Sequence, residues 1–170
     1  IDETRVQVLK EPGRKNTSDS YMWVYCSMKD AENPIRYFEY QPGRGGKYPE
    51  AFLKGYEGYI HTDAYSGYNR ISGVKRCMCY THLRRAFVDA LPKDVHTPEA
   101  SKPAEAILRL NKLFDIETEL KDLSPDQKEK ERRIREKPLL EAFWAWAEKS
   151  AIGELPKSKL SKAFHYALNN

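Results

Sequence analysis

Tyr59-Ile60-His61-Thr62-Asp63-Ala64-Tyr65-Ser66-Gly67-Tyr68, with Cys79-Tyr80-Thr81-His82-Leu83-Arg84-Arg85-Ala86-Phe87 downstream of it, decides how this chain reads. In the first stretch an apolar, strand-like run ends on a carboxylate. The second opens a basic helix with a Cys-x-x-His step. Open α/β sheets place their chemistry outside the carboxyl ends of their strands, so Asp63 is the first candidate for a chemical role. The basic helix suggests a phosphate-rich partner.

Working outward, Gly58 to Thr62 predicts a strand ending at Asp63, Val74 to Cys79 a second, and His82 to Ala90 a helix. Upstream, Thr4 to Leu9 alternates with Val6 and Val8 on one face, as a half-buried strand does. Tyr21-Met22-Trp23-Val24-Tyr25-Cys26 is aromatic and β-favouring, and Ile35 to Tyr40 follows the Asn33-Pro34 break. Three strands so close in sequence pair most simply as an antiparallel meander. Pro42-Gly43-Arg44-Gly45-Gly46 reads as a flexible loop, and Pro49 stands where a short helix to Lys54 would begin. The order predicts a mixed sheet with helices packed on it.

From Pro92 the pattern turns helical. Ala106, Leu110, Leu113, Phe114 and Leu120 recur at spacings of three and four. Ser124-Pro125 reads as an N-cap followed by the first helical position. Lys128 to Lys137 is a mixed-charge run that reads as a solvated face, broken by Pro138. Leu140, Phe143, Trp144 and Ala147 form an apolar stripe, and Ser158 to Leu168 a last helix. The implied division is a sheet core over 1–90, a helical insertion over 91–156 and, over 157–170, a helix returning toward the core.

Bulk composition bounds the function. The chain has 170 residues, 40% hydrophobic and 32% charged, with 11 Tyr and 3 Trp, too aromatic for a disordered segment. The net charge of +4 is a mild basic bias compatible with nucleic acid. Cys26, Cys77 and Cys79 make an odd set that argues against a secreted disulfide scaffold. Ile1-Asp2-Glu3-Thr4 is acidic where a signal peptide is basic, and no apolar run reaches the ~20 residues of a membrane helix. A cytoplasmic protein with no membrane partner is expected, as a fragment of something longer because the chain starts without Met.

Several blocks together resemble a known family. Asp2-Glu3-Thr4, Tyr21-Met22-Trp23-Val24-Tyr25, Phe52-Leu53-Lys54-Gly55-Tyr56-x-Gly58-Tyr59, Thr62-Asp63-x-Tyr65-Ser66-Gly67-Tyr68, Cys79-x-x-His82-x-Arg84-Arg85-x-Phe87, Leu155-Pro156-Lys157-Ser158 and Ala163-x-x-Tyr166-Ala167 look like the insertion sequence 66 family of bacterial DDE transposases. The likeness covers nearly the whole chain, with unrelated blocks in the right order. It implies a ribonuclease-H-like mixed sheet with flanking helices and an all-helical insertion. It implies an enzyme that cuts and joins DNA by two-metal phosphoryl transfer during transposition of an insertion sequence, with element ends and target DNA as partners. Its active site would be two Asp and one Glu holding two Mg²⁺ or Mn²⁺ ions.

By motif, the catalytic and metal-holding acids are Asp2 and Asp63. The third acid is expected in an Asn-Asn-x-x-Glu-Arg segment that the sequence does not reach at Asn169-Asn170. The chain by itself is therefore expected to carry out little or no strand transfer. A non-catalytic DNA-binding or assembly module that keeps the fold is the alternative.

The chemistry of the residues agrees. Asp2 and Asp63 would lie on adjacent strands if the first and fourth strands pair in parallel. Two such carboxylates repel unless cations sit between them. Hard Mg²⁺ suits oxygen donors, and two metals about 3.5–4 Å apart can serve both the attacking and the leaving oxygen. A local reading of Asp63 as an N-cap or turn residue stays open, because Tyr65-Ser66-Gly67 follows. Cys79 and His82 are read as support for the acidic site. A zinc site including Cys77 would need further ligands from the scattered Cys26, His61, His96 and His165. Lys75, Arg76, Arg84 and Arg85 form the densest basic cluster and are candidates for DNA phosphate. Tyr65 and Tyr68 could stack on an unpaired base or pack their loop. Trp144 and Trp146 read as core of the insertion, with a homodimer contact the other option.

Overall fold

A computed structural model of the chain describes residues 1–28, 31–92 and 101–169. They form a mixed α/β structure of two compact units, Ile1–Cys79 and Tyr80–Asn170. Each unit has a hydrophobic core of its own.

In the first unit β1 (Asp2–Gln7), β2 (Asp19–Cys26) and β3 (Arg36–Gln41) form the antiparallel meander, in the order β1-β2-β3. Glu3 lies opposite Trp23, and Trp23 opposite Glu39. Because side chains alternate across a strand, these three share the inner face. Asp2, Val24 and Phe38 share the outer one. β1 begins and ends two residues earlier than the Thr4–Leu9 expected. The cause is local: Lys10 takes a left-handed φ of 59° and its N–H donates to Asn16 Oδ1 at 2.9 Å, turning the chain after Val8. The earlier start brings Asp2 into the strand.

Helix α1 (Lys47–Phe52) follows, with Pro49 buried in its first turns, where a missing N–H costs nothing. Then β4 (Gly58–Thr62) pairs in parallel with β5 (Val74–Met78), Ile60 opposite Arg76, as a separate two-stranded sheet. A 3₁₀ turn, Ser66–Arg70, lies between them. The expected parallel ladder between β1 and β4 is reduced to one bond, from the Ile1 backbone nitrogen to the His61 carbonyl at 2.8 Å. Trp23, Tyr25, Ile60, Tyr68 and Ile71 make the core of the unit. The Trp23 indole N–H reaches the Gly43 carbonyl at 3.5 Å, tying the glycine-rich loop to that core.

The second unit is helical: α2 (Tyr80–Asp89), α3 (Lys102–Glu119), α4 (Pro125–Glu131), a π-helical turn (Arg132–Glu136), α5 (Lys137–Ala151) and α6 (Lys159–Leu168). The division falls ahead of α2, which packs against α3 and α6. The apolar stripes read from spacing supply the core: Ala106, Leu110, Leu113, Phe143 and Ala147 are buried, joined by Phe87 and Phe164. Phe87 is fully buried, its ring edge-on to Phe143 at 6.3 Å and to Phe164 at 5.4 Å. Burying such a side chain contributes about 2–3 kcal/mol. Trp144 and Trp146 pack partly buried against this core, which favours the core reading over an exposed contact.

Ser124 caps α4 with a complete capping box, Gln127 answering on the Ser124 N–H. Pro138 does not break the charged run. It lies in the first turn of α5, directly after the π turn. Among the described residues no helix is long and apolar enough to cross a membrane.

Candidate active site

Asp63 stands one residue past the end of β4, where the parallel pair delivers it. Its Oδ1 accepts the Tyr65 N–H at 2.9 Å, the hydrogen bond of an Asx turn. The turn reading and the catalytic reading are thus compatible, since the turn uses one carboxylate oxygen and leaves the other. Thr62, with 1% exposure, donates its hydroxyl to the Asp63 carbonyl at 2.9 Å.

Arg76 on β5 clamps this turn. Nε donates to Thr62 Oγ1 at 2.7 Å, and Nη2 to the carbonyls of Asp63 at 2.5 Å and Tyr65 at 3.2 Å. Nη1 donates to Asn69 Oδ1. The guanidinium that the sequence offered to DNA is therefore engaged with its own chain, shaping the peptide around Asp63.

A second arginine, unmarked in the sequence reading, approaches Asp63 from the glycine-rich loop. Arg44 Nη2 lies 3.9 Å from Asp63 Oδ2, while its Nε donates to Glu3 Oε1 at 2.5 Å. The Glu3 side chain is 1% exposed, and its other oxygen accepts the Tyr68 hydroxyl at 2.5 Å. Burial pulls the Arg44 guanidinium down, but the hydrogen bond and charge of Glu3, followed by the charge of Asp63, leave it above its ordinary value. Burial first, then the hydrogen bond and charge of Glu3, push the Tyr68 phenol far above its usual range, and Asp63 and Asp2 add to it. Both predicted acids thus bear on the same tyrosine.

Asp2 is exposed on the outer face of β1, its Oδ1 accepting the Glu3 N–H at 3.0 Å. Tyr65 and Tyr68 pack against each other, ring centroids 5.7 Å apart. Tyr68 is 1% exposed, so packing is its role. The two loops meet glycine to glycine. A Cβ on Gly46 would stand 2.3 Å from the Gly67 carbonyl oxygen, a contact no side chain tolerates.

The remaining candidates are distributed over both units. The Cys79 N–H donates to the Thr62 carbonyl at 2.9 Å, next to Asp63 in sequence. Exposed Lys75 has its ammonium 5.3 Å from the centre of the Tyr59 ring. In the helical unit, His82 is partly buried in the first turn of α2, Arg84 Nε donates to Asn111 Oδ1 at 2.8 Å, and Arg85 is exposed. No group of three or more His, Cys, Asp or Glu placed to hold a metal occurs among the described residues, so the zinc alternative has no ligand set there. His96 lies outside the described residues. The carboxylates of Asp2 and Asp63 remain as oxygen donors of the kind hard divalent cations take.

Glu3 and Arg44 are the residues that the sequence reading missed. In the sequence Glu3 stands in the block beside Asp2, and Arg44 in a glycine-rich loop. The available signal was charge: an arginine flanked by glycines and an acid on an alternating strand.

The family model described as Transposase IS66 family matches residues 1–170. In Sinorhizobium fredii (strain NBRC 101917 / NGR234), the uncharacterized protein y4jD is 27% identical over 98% of this chain and 34% of its own length. The uncharacterized protein y4qI of the same strain is 24% identical over 98% of this chain and 33% of its own. The chain thus spans about a third of the length of these relatives. No solved structure matches it significantly. Matched by this family model along its whole length, residues 1–170, the chain belongs to the transposase IS66 family.

Proposed function

We propose that this chain is the acid-bearing part of a DNA transposase, with Asp2 and Asp63 as its two catalytic acids in a ribonuclease-H-like sheet. The observation that carries the reading is the state of Asp63. One oxygen is fixed by the Tyr65 N–H, while the other faces a cation at 3.9 Å without a direct hydrogen bond. The bond from the Ile1 nitrogen to the His61 carbonyl supports the fold, because it links the start of β1 to β4, although the two strands belong to separate sheets.

Mg²⁺ or Mn²⁺ bound there would supply charge and a template for phosphodiester exchange. Asp2 and Asp63 would hold the ions. The protein's own part is orientation: Arg76 and the Tyr65 N–H fix the Asp63 turn, and buried Glu3 and Tyr68 hold Arg44 beside it. Cys79 supports the strand end through its backbone. Of the four basic residues offered by the sequence, Lys75 and Arg85 are the exposed ones, which leaves them accessible to DNA phosphate.

Titration with Mn²⁺ followed by electron paramagnetic resonance tests the acids. Asp63→Asn and Asp2→Asn are each expected to weaken Mn²⁺ binding at least tenfold. Binding by Asp63→Asn as tight as the parent's would sink the assignment. One observation favours the alternative of a DNA-binding or assembly module: among the described residues no group of three or more His, Cys, Asp or Glu is placed to hold a metal. That reading expects salt-sensitive duplex binding with no Mn²⁺ affinity at all.

A further inference from the structure

Arg44 is held more elaborately than a loop anchor requires. An arginine that only ties a loop to a strand meets its carboxylate best with two parallel N–H donors, the bidentate fork. Here the Glu3 carboxylate is divided. Oε1 takes the Arg44 Nε at 2.5 Å and Oε2 takes the Tyr68 hydroxyl at 2.5 Å. Tyr68 thus occupies the oxygen that would have closed the fork. Among the described residues Nε is the only guanidinium nitrogen of Arg44 in a hydrogen bond, which leaves both Nη groups with donors to offer.

The plane of the guanidinium is also fixed. Its carbon lies 4.1 Å from the centre of the Tyr65 ring, and the Tyr65 hydroxyl donates to the Arg44 carbonyl at 2.7 Å. One tyrosine therefore grips both ends of Arg44 while its own N–H holds Asp63. The side chain is still 44% exposed, and its Nη2 lies 3.9 Å from Asp63 Oδ2, outside hydrogen-bond range. The result is a stacked, anchored cation with unused donors, open to solvent beside the acid.

We propose that Arg44 is a phosphate-binding residue of this site, its free Nη donors taking the backbone phosphate of a DNA strand lying against Asp63. The inference rests on the reading of the site as DNA-processing. Glu3 and Tyr68 are positioning residues for it. The Nη pair matches the geometry of phosphate oxygens. Because the donors are oriented beforehand, they can meet negative charge on the phosphate without rearranging.

The test is the salt dependence of binding of the 170-residue chain to a duplex oligonucleotide in EDTA, with circular dichroism recorded on each variant. Removing a cation that neutralises one phosphate reduces the slope of log K against log salt by about one. Arg44→Gln is expected to lower the slope by that amount. Arg44→Lys, which keeps a point charge, is expected to hold the slope while losing affinity. A parent slope retained in folded Arg44→Gln overturns the inference and leaves the wider reading standing. Absence of salt-sensitive binding by the parent overturns both.

A second measurement needs no variant. Phenylglyoxal modification of Arg44 in the parent, followed by mass spectrometry, is expected to be suppressed by the oligonucleotide. Equal modification with and without DNA overturns the inference.

Discussion

Arg76 shows how much of the site rests on a single side chain. It satisfies the hydroxyl of Thr62, which is 1% exposed, and the carbonyls on either side of the Asp63 turn. Arg76→Met keeps most of the side chain's bulk and removes every donor. Loss of charge-assisted bonds to partly buried acceptors costs about 3 kcal/mol, and urea denaturation should show it, together with weaker Mn²⁺ binding. Asp63 was legible from sequence because a strand end and a local turn signal coincide there. Arg76 was legible as a charge but not in its role, because its acceptors lie up to 14 residues away across the parallel pair. Glu3 and Arg44 were hidden for the same reason, at a separation of 41 residues. Pairings of that reach follow from topology, which no local periodicity encodes.

At the scale of elements, the π turn of Arg132–Glu136 carries the clearest pH dependence. Burial first, then the hydrogen bond and charge of Glu117, push the Glu136 carboxyl up to about 7. Glu117, bound by Arg132 at 2.5 and 2.7 Å, is held below its ordinary value. A carboxyl with a raised folded pKa stabilises below its unfolded value near 4.5, and that stability is lost as pH rises toward 7. Glu117 acts in the opposite sense at lower pH, its contribution being lost as pH falls below its unfolded value. Glu136→Gln should therefore remove a decline in thermal midpoint between pH 5 and pH 7 (roughly the span between the two values), leaving the acid limb unchanged. An unaltered midpoint profile in the variant would count against the pair. The helices here were legible from apolar spacing and, for α4, from the Ser124 cap. The π turn was not, because its mixed charges satisfy a regular helix equally well and only the carboxyl pair and Pro138 mark the shift.

For the molecule as a whole, the two cores explain what composition could not. A 40% hydrophobic chain fills two separate interiors, one aromatic around Trp23 and one built on Phe87, Phe143 and Phe164. The meander was legible because its strands follow one another closely. The reduction of the β1–β4 ladder to a single bond was not, since strand spacing says nothing about how far two strands run side by side. One consequence concerns handling of the protein at the bench. β3 ends its sheet, and Ile35, Tyr37 and Phe38 on or beside it are 61%, 47% and 60% exposed. An apolar edge of this kind recruits strands from other chains. Concentrated samples should cloud with time, and faster on warming, since such contacts are apolar. Phe38→Lys places a charge on that edge and should delay the turbidity without moving the thermal midpoint. Light scattering at matched concentrations would reveal it, and an unchanged onset would clear the edge of blame.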